Sequence, residues 1–325
     1  MSSIASRPGT AGSRILGLGH YRPSRVVTND ELAQTMDTND QWIQSRVGIA
    51  ERHWGSAEDT PVTMGAEAAR MAIADAGLTS ADIDTVIVAT CTLPSQVPHA
   101  STQIAALLDI RAPGSFDINA ACAGFCYGLG VASHTVRAGA ARNVLLVGVD
   151  KLTDWTDLTD RSTAIIFADG AGAAVITGAD VEEIGPVVWG SDETQTNAIH
   201  VRDRNSYLYQ DGQAVFRWAT TAIAPVALQA VAEAGVELSE IKALVTHQAN
   251  LRIIEAIAKK VIAAGAREDL IIGRDIITTG NTSSASVPLA LTRLRDNGEI
   301  VTGDLVLSVA FGAGLTYAAQ VYRCP

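Results

Sequence analysis

Apolar and polar positions along the chain fall into alternating blocks. Short β-branched runs are followed by longer stretches of helical period. Residues 13–19 read as a first strand, and Thr28 with Glu31 matches a capping box. Thr38 with Gln41 repeats that pattern and opens a short helix through 40–46. Residues 62–76 carry a helical pattern closed by Gly77, and 83–90 form a β-branched run suited to a buried parallel strand. A helix is expected over 102–108, a strand over 116–119 running into a helix that ends near Arg137, and strands over 143–149, 167–176 and 186–190. The polar stretch 194–213 reads as a surface loop or flap. Beyond it the pattern predicts helices over 215–234 and 251–264. Strands are expected at 243–246, 275–279, 304–310 and in a last run to Tyr322, and a helix from Ser284 to about Asn297.

The two halves show the same order of elements. Ala74-Asp-Ala-Gly-Leu78 matches Ala232-Glu-Ala-Gly-Val236, each followed at the same spacing by a strand. The strand-to-helix turn at Cys122 has a counterpart at Ser283–Ser284, about 160 positions later, and the strands at Asn143 and Asp304 correspond as well. A repeat this long implies duplicated α/β units. The expected division is a disordered tail over 1–12, an N-terminal half over 13–180 and a C-terminal half over 181–325.

Composition narrows the function classes. The chain has 325 residues, 47% of them hydrophobic, and a formal net charge of −11. That charge argues against nucleic acid as a partner. No run of about 18 apolar residues is present, so no membrane span is expected. Cys91, Cys122, Cys126 and Cys324 are too few and too irregular for a disulfide framework, which fits a reducing cytoplasm. No ligand spacing for a metal is found, and no cofactor is expected.

Candidate chemistry centres on Cys122. It stands where a strand meets a helix, so free backbone N–H groups and the helix dipole favour its thiolate. His247 and Asn281 also stand at expected strand ends. A thiol, an imidazole and an amide brought together suit acyl transfer. Cys126, one turn beyond Cys122, reads as a core residue.

Asn119-Ala-Ala-Cys122-Ala-Gly-Phe, His247-Gln-Ala-Asn-Leu-Arg-Ile and Gly280-Asn281-Thr-Ser-Ser-Ala-Ser resemble the signature blocks of β-ketoacyl-acyl carrier protein synthase III, a thiolase-like condensing enzyme. The resemblance runs from Ile15 to Tyr322 and includes Asp169-Gly-Ala-Gly172 and Phe311-Gly-Ala-Gly314. It implies a duplicated, five-layered α-β-α-β-α fold and a homodimer. It also implies an acyltransferase that condenses an acyl-CoA primer with malonyl-acyl carrier protein, with loss of carbon dioxide, to start fatty acid synthesis.

By the same resemblance, Cys122 carries the acyl group, while His247 and Asn281 stabilise the enolate left by decarboxylation. Backbone N–H groups of Cys122 and Ala313 form a second oxyanion hole. Trp42, Arg46, Arg161 and Asn250 bind CoA. Val97, supplied across the dimer, closes an acyl pocket that Leu208 and Phe216 line. Val97 stands where forms that prefer acetyl often carry a large aromatic, so branched or longer primers are expected. Arg217, Arg252, Lys259 and Lys260 form a basic patch for the acidic carrier protein. On the helix after His247, Leu251, Ile254 and Ala258 are expected to face the core. The alternatives are a polyketide-starter ketosynthase or acyltransferase of the same fold, and a non-catalytic thiolase-fold subunit.

Overall fold

The computed structural model describes residues 7–325. Its frame is two five-stranded sheets. The first is ordered Gly12–Tyr21, Asp169–Ala179, Asn143–Lys151, Thr85–Ala89, Gly114–Ile118. The second is ordered Val188–Ser191, Thr316–Arg323, Leu305–Gly312, Ala243–Thr246, Ile271–Ile272. Pairing is antiparallel at the first two junctions of each sheet and parallel at the last two. Chain order and pairing sense therefore repeat between the halves.

The strand pattern explains the layering. Successive side chains on a strand point to opposite faces. In Asn143–Lys151, Val144 and Leu146 join a central core, while Leu145, Val147 and Val149 join an outer one. In Leu305–Gly312, Val306 and Ala310 face the same central core, and Leu307, Val309 and Phe311 face a third. Helices Gly124–Arg137 and Ser286–Asp296 fill the space between the sheets. Pro61–Asp75 and Ala100–Leu107 cover one outer face, and Gly212–Ala234 with Leu251–Ala263 cover the other. This is the five-layered α-β-α-β-α arrangement. Both sheets are buried on both faces, which is why their strands read as near-continuous apolar runs.

Several expectations change. Residues 275–279 are not a strand. Ile276–Thr279 is a helical turn, and the edge position is taken by Ile271–Ile272, paired to Ala243–Leu244. The β-branched residues there would suit either state. Tertiary contacts decide: buried Asp275 is held by Arg22 and Arg293 at 2.9 and 2.7 Å, and the Gln248 side chain accepts from Ile276 N–H at 3.0 Å. Helix Asp40–Val47 is capped by Asn39, whose side chain accepts from Trp42 N–H, and not by Thr38. Thr28 does accept from Glu31 N–H, but Glu31 turns to Arg25 instead of closing a box.

Of the tail expected over 1–12, residues 1–6 lie outside the described residues. Gly9 lies against the Arg137 backbone, and Gly12 already belongs to the first strand. On helix Leu251–Ala263 the inner stripe is Ile253, Ile254, Ile257, Ala258 and Val261, with Leu251 only half-buried. The strand pair Arg25–Thr28 and Glu51–Trp54 was not expected from the sequence. One described helix, Gly212–Ala234, is long and apolar enough to cross a membrane. Its inner face, including Ala219, Ile223, Ala227 and Ala230, packs on the second sheet.

Candidate active site

Two equivalent turns face each other at the centre of the molecule. In the first half, the Asn119 side-chain oxygen accepts from Ala121 N–H at 3.1 Å. In the second, the Asn281 side-chain oxygen accepts from Ser283 N–H at 2.9 Å. Each turn puts its third residue in the left-handed region, Ala121 at φ 47° and Ser283 at φ 53°. Each then runs through a short 3-10 turn into a central helix, Gly124–Arg137 or Ser286–Asp296. Cys122 and Ser284 occupy equivalent places. The turns are a local consequence of Asn followed by small residues, which tolerate positive φ better than bulky or β-branched ones.

A carboxylate ties the second turn to the first sheet. Asp150 is fully buried near the end of a mostly apolar strand. One oxygen accepts from Thr90 Oγ1 (3.1 Å), Cys91 N–H (2.8 Å) and Thr92 Oγ1 (3.0 Å). The other accepts from Ser284 N–H (3.1 Å) and Ser284 Oγ (2.7 Å). Five donors satisfy one charge in place of a cation.

Cys122 stands over this junction. Ser283 Oγ donates to its Sγ at 3.3 Å. Gly312 passes so close that a Cβ there would lie 2.6 Å from Cys122 N, so only glycine fits. Burial pushes the Cys122 thiol up to about 12; the Ser283 hydroxyl and the residue's own N–H pull the other way, and the Asp150 charge adds to the rise. Cys126 is buried, and burial alone pushes it to about 12 as well.

His247 follows strand Ala243–Thr246 and is 2% exposed. Burial lowers its pKa to about 3, so the ring is neutral at ordinary pH. Its Nδ1 lies 2.7 Å from Ser286 Oγ, and that oxygen also accepts from Gln248 N–H at 3.2 Å. In the tautomer in which the serine gives its own hydrogen to Nδ1, the imidazole hydrogen is on Nε2, which has no hydrogen-bond partner among the described residues. Phe311 holds the ring edge-on at 5.2 Å. Asn281 is 4% exposed, and with Oδ1 committed to Ser283 its NH2 group is free for the cavity. Backbone hydrogen bonds to Ile166 and Ala168 fix it to the first half.

Cys122, His247 and Asn281 line one cavity of about 1000 Å³, with Ala313 beside them. Ala313 is outside the left-handed region, so alanine is unstrained at that position. Trp42, Arg46 and Arg161 line the outer part of the same cavity. The Arg161 and Arg46 guanidinium groups lie 4.7 and 5.6 Å from the Trp42 ring centroid. Asn250 lines it too, but its amide also has structural work. It caps helix Leu251–Ala263 and donates to Arg46 C=O at 3.1 Å.

Leu208, Phe216, Arg217 and Arg252 are at the cavity as well, and Arg252 lies 5.0 Å over the Phe216 ring. The stretch expected as a flap carries a small ribbon, Ile199–His200 with Tyr209–Gln210, that forms one wall. Lys259 and Lys260 are exposed further along the helix, with Lys260 Nζ bonded to Thr220 C=O at 2.6 Å. Val97 is 80% exposed and does not line its own chain's cavity. Among the described residues, no group of three or more His, Cys, Asp or Glu side chains is arranged to hold a metal ion.

The sequence points to Cys122, His247 and Asn281 but not to Asp150, Ser283 or Ser286. A lone Asp closing an apolar strand, and the Asn–X–small repeat at Asn119 and Asn281, were the available signals.

Comparison with known proteins agrees with this geometry. Residues 116–193 match the 3-oxoacyl-[acyl-carrier-protein] synthase III family, and residues 231–324 match the C-terminal part of that family. A β-ketoacyl-[acyl-carrier-protein] synthase III of Streptomyces coelicolor is 46% identical over 317 residues, covering 97% of this chain and 99% of the relative. A mycobacterial β-ketoacyl-[acyl-carrier-protein] synthase III of Mycolicibacterium paratuberculosis is 46% identical, covering 100% and 99%. The solved priming β-ketosynthase of a polyketide biosynthetic pathway superposes with a TM-score of 0.94 at 42% identity, covering 99% of this chain and 98% of that one. The 3-oxoacyl-[acyl-carrier-protein] synthase III of Aquifex aeolicus gives 0.90 at 35% identity, covering 96% and 100%.

Proposed function

Since the chain belongs to the β-ketoacyl-[acyl-carrier-protein] synthase III family and is a condensing acyltransferase of thiolase-like fold, we propose a division of labour among its residues. Cys122 Sγ attacks the thioester carbonyl of an acyl-CoA. The C–S bond to CoA breaks, the Cys122 proton leaves with the CoA thiol, and a Cys122 thioester remains. The passing oxyanion is met by the N–H groups of Cys122 and Ala313. Malonyl-acyl carrier protein then enters and loses carbon dioxide. His247 Nε2–H and Asn281 Nδ2–H meet the enolate oxygen that forms. The enolate carbon attacks the Cys122 thioester, the Cys122 C–S bond breaks, 3-oxoacyl-carrier protein departs, and the Cys122 thiolate takes up one proton from solvent to regain the thiol. A neutral imidazole and an amide suit this role because they donate to a developing charge without themselves changing charge.

The observation that carries the reading is convergence. A thiol from one half and an imidazole and amide from the other line a single cavity. The test is intact mass after incubation with a primer panel. Wild-type chain should gain one acyl mass and Cys122→Ala none. Absence of an adduct with every primer would support a non-catalytic subunit instead. With Val97 in place of a large side chain, isobutyryl-CoA should label at least as fast as acetyl-CoA, and a strong acetyl preference would refute that part.

Trp42, Arg46 and Arg161 offer CoA a flat face and two cations, and Asn250, on the same cavity, is assigned to the pantetheine arm. Arg217, Arg252, Lys259 and Lys260 dock the acidic carrier protein. A homodimer is proposed because edge strand Gly114–Ile118 leaves one side unpaired, with Phe116 39% exposed and Val97 exposed as well. The four free thiols fit a cytoplasmic setting. The similarity to a polyketide-priming ketosynthase supports a second reading, that the product enters polyketide and not fatty acid synthesis. Turnover with one carrier protein and not the other separates the two.

A further inference from the structure

We propose that Ser283 is a catalytic residue of the acylation step: its hydroxyl hydrogen bond holds and stabilises the Cys122 sulfur as charge develops on it. The proposal rests on the reading of Cys122 as the nucleophile and goes beyond it.

Ser283 Oγ is 3.3 Å from Cys122 Sγ and is the donor in that contact. No Lys or Arg forms a hydrogen bond or salt bridge to Cys122 among the described residues. Charge on the sulfur must therefore be met by neutral donors, namely the helix N–H groups and this one hydroxyl. A hydrogen bond to a charged group is worth more than one to a neutral group, so the contact strengthens as the thiol becomes thiolate. That is the signature of an interaction that lowers a barrier, as opposed to one that merely binds.

The hydroxyl is also deliberately placed. Ser283 sits at φ 53°, a conformation few non-glycine residues adopt, and it is held there from both sides. Its N–H is bound by Asn281, and the next residue, Ser284, is bound through N–H and Oγ to Asp150. The equivalent residue of the first half is Ala121, at φ 47°. The fold needs only a small residue at this position, and a hydroxyl is found at the one of the two that faces the nucleophile. With its hydrogen given to Cys122, Ser283 Oγ remains an acceptor toward Cys91 Sγ, 3.9 Å away. Cys91, whose thiol is kept protonated by burial and by the nearby Asp150 and Cys122, is suited to donate there. One residue thereby links the two half-reactions: its backbone orients the Asn281 amide, and its side chain serves Cys122.

The titratable groups around Cys122 are Cys91 and Asp150 from the first sheet, His247 from the second, and Cys126 on its own helix. His200, Tyr209, Asp211 and the arginines Arg46, Arg161, Arg217 and Arg252 lie at the outer cavity. None of these changes in Ser283→Ala. The folded-state thiol is raised, so thiolate is scarce at neutral pH and grows as pH rises; losing the hydroxyl moves that growth to still higher pH.

The experiment is iodoacetamide alkylation of the full chain across pH, with Cys122 labelling read by peptide mass so that Cys91 does not contribute. Ser283→Ala should slow Cys122 alkylation about tenfold or more at a fixed neutral pH, and its profile should shift upward by roughly one unit. Because Ala121 already holds this conformation, the variant is expected to fold. Ser283→Gly, which removes the hydroxyl and relaxes the backbone, is the second variant and should behave alike. Malonyl decarboxylation should fall much less than alkylation in Ser283→Ala, since the Ser283 N–H that orients Asn281 is kept. Coincident alkylation profiles in wild type and both variants overturn the proposal. So does an equal loss of alkylation and decarboxylation, which marks a structural role. If wild type alkylates at Cys122 but accepts no acyl group, the failure lies with the synthase reading and not with Ser283.

Discussion

At Cys122 two effects oppose each other. The helix terminus and the Ser283 hydroxyl favour the thiolate, as the sequence led one to expect, but burial is stronger and lifts the thiol to about 12. Resting Cys122 is therefore a thiol, and under the proposed mechanism its charge is stabilised as it forms. At His247 burial acts in the opposite sense on a base and keeps the ring neutral down to about 3. A hydrogen donated by Ser286 to Nδ1 leaves the imidazole hydrogen on Nε2. As the proposed donors to an enolate, the two partners should show asymmetric losses. His247→Ala or Asn281→Ala should lower malonyl decarboxylation by roughly 10² to 10³, with much less effect on Cys122 acylation measured by mass. Because the lowered His247 remains neutral well below pH 6, the wild-type decarboxylation rate should cross pH 5 to 8 without a histidine ionisation. Equal losses in both half-reactions, or a clear transition near pH 6.5, would count against these roles.

The elements place these residues through two Asn-capped turns and one carboxylate. Asp150 closes strand Asn143–Lys151 and binds both the Thr90–Thr92 segment and Ser284, so it fixes the second turn to the first sheet. Replacing it with alanine leaves five donors without their acceptor. Asp150→Ala should cost about 3 kcal/mol or more in urea unfolding. It should also depress both half-reactions together, unlike His247→Ala or Ser283→Ala. A stability within about 0.5 kcal/mol of wild type would show that water replaces the carboxylate. Short elements were also where pattern reading failed. Ile276-Ile-Thr-Thr has strand propensity, yet the Asp275 ion pairs and the Gln248 side chain turn it into a helix. Likewise Asn39, not Thr38, caps the early helix, because neighbouring candidates differ only in which one the chain path aims at Trp42 N–H.

Across the whole molecule, duplication brings the two central helices side by side and opens one cavity between the halves. The proposed carrier-protein docking belongs to this scale, since it needs a surface and not a single group. Arg252 lies over Phe216 at the cavity, with Arg217 beside it, and Lys259 and Lys260 extend the charge along the helix. Arg252→Glu should therefore raise KM for malonyl-acyl carrier protein about tenfold while sparing acylation by acyl-CoA. Equal loss in both would remove the docking role, and light scattering of the same sample checks the proposed dimer. The sequence alone determined the duplicated α/β order, most strands and helices, and the Cys122–His247–Asn281 set. Apolar periodicity and local motifs are properties of neighbouring residues, and they can be read without a fold. Only the tertiary structure decided that burial would outweigh the helix terminus at Cys122, that Asp150 would bind both halves, and that Ser283 and Ser286 would supply the hydroxyls. Those outcomes depend on which groups are excluded from water together and which distant donors reach them, and residues far apart in the chain carry no local sign of either.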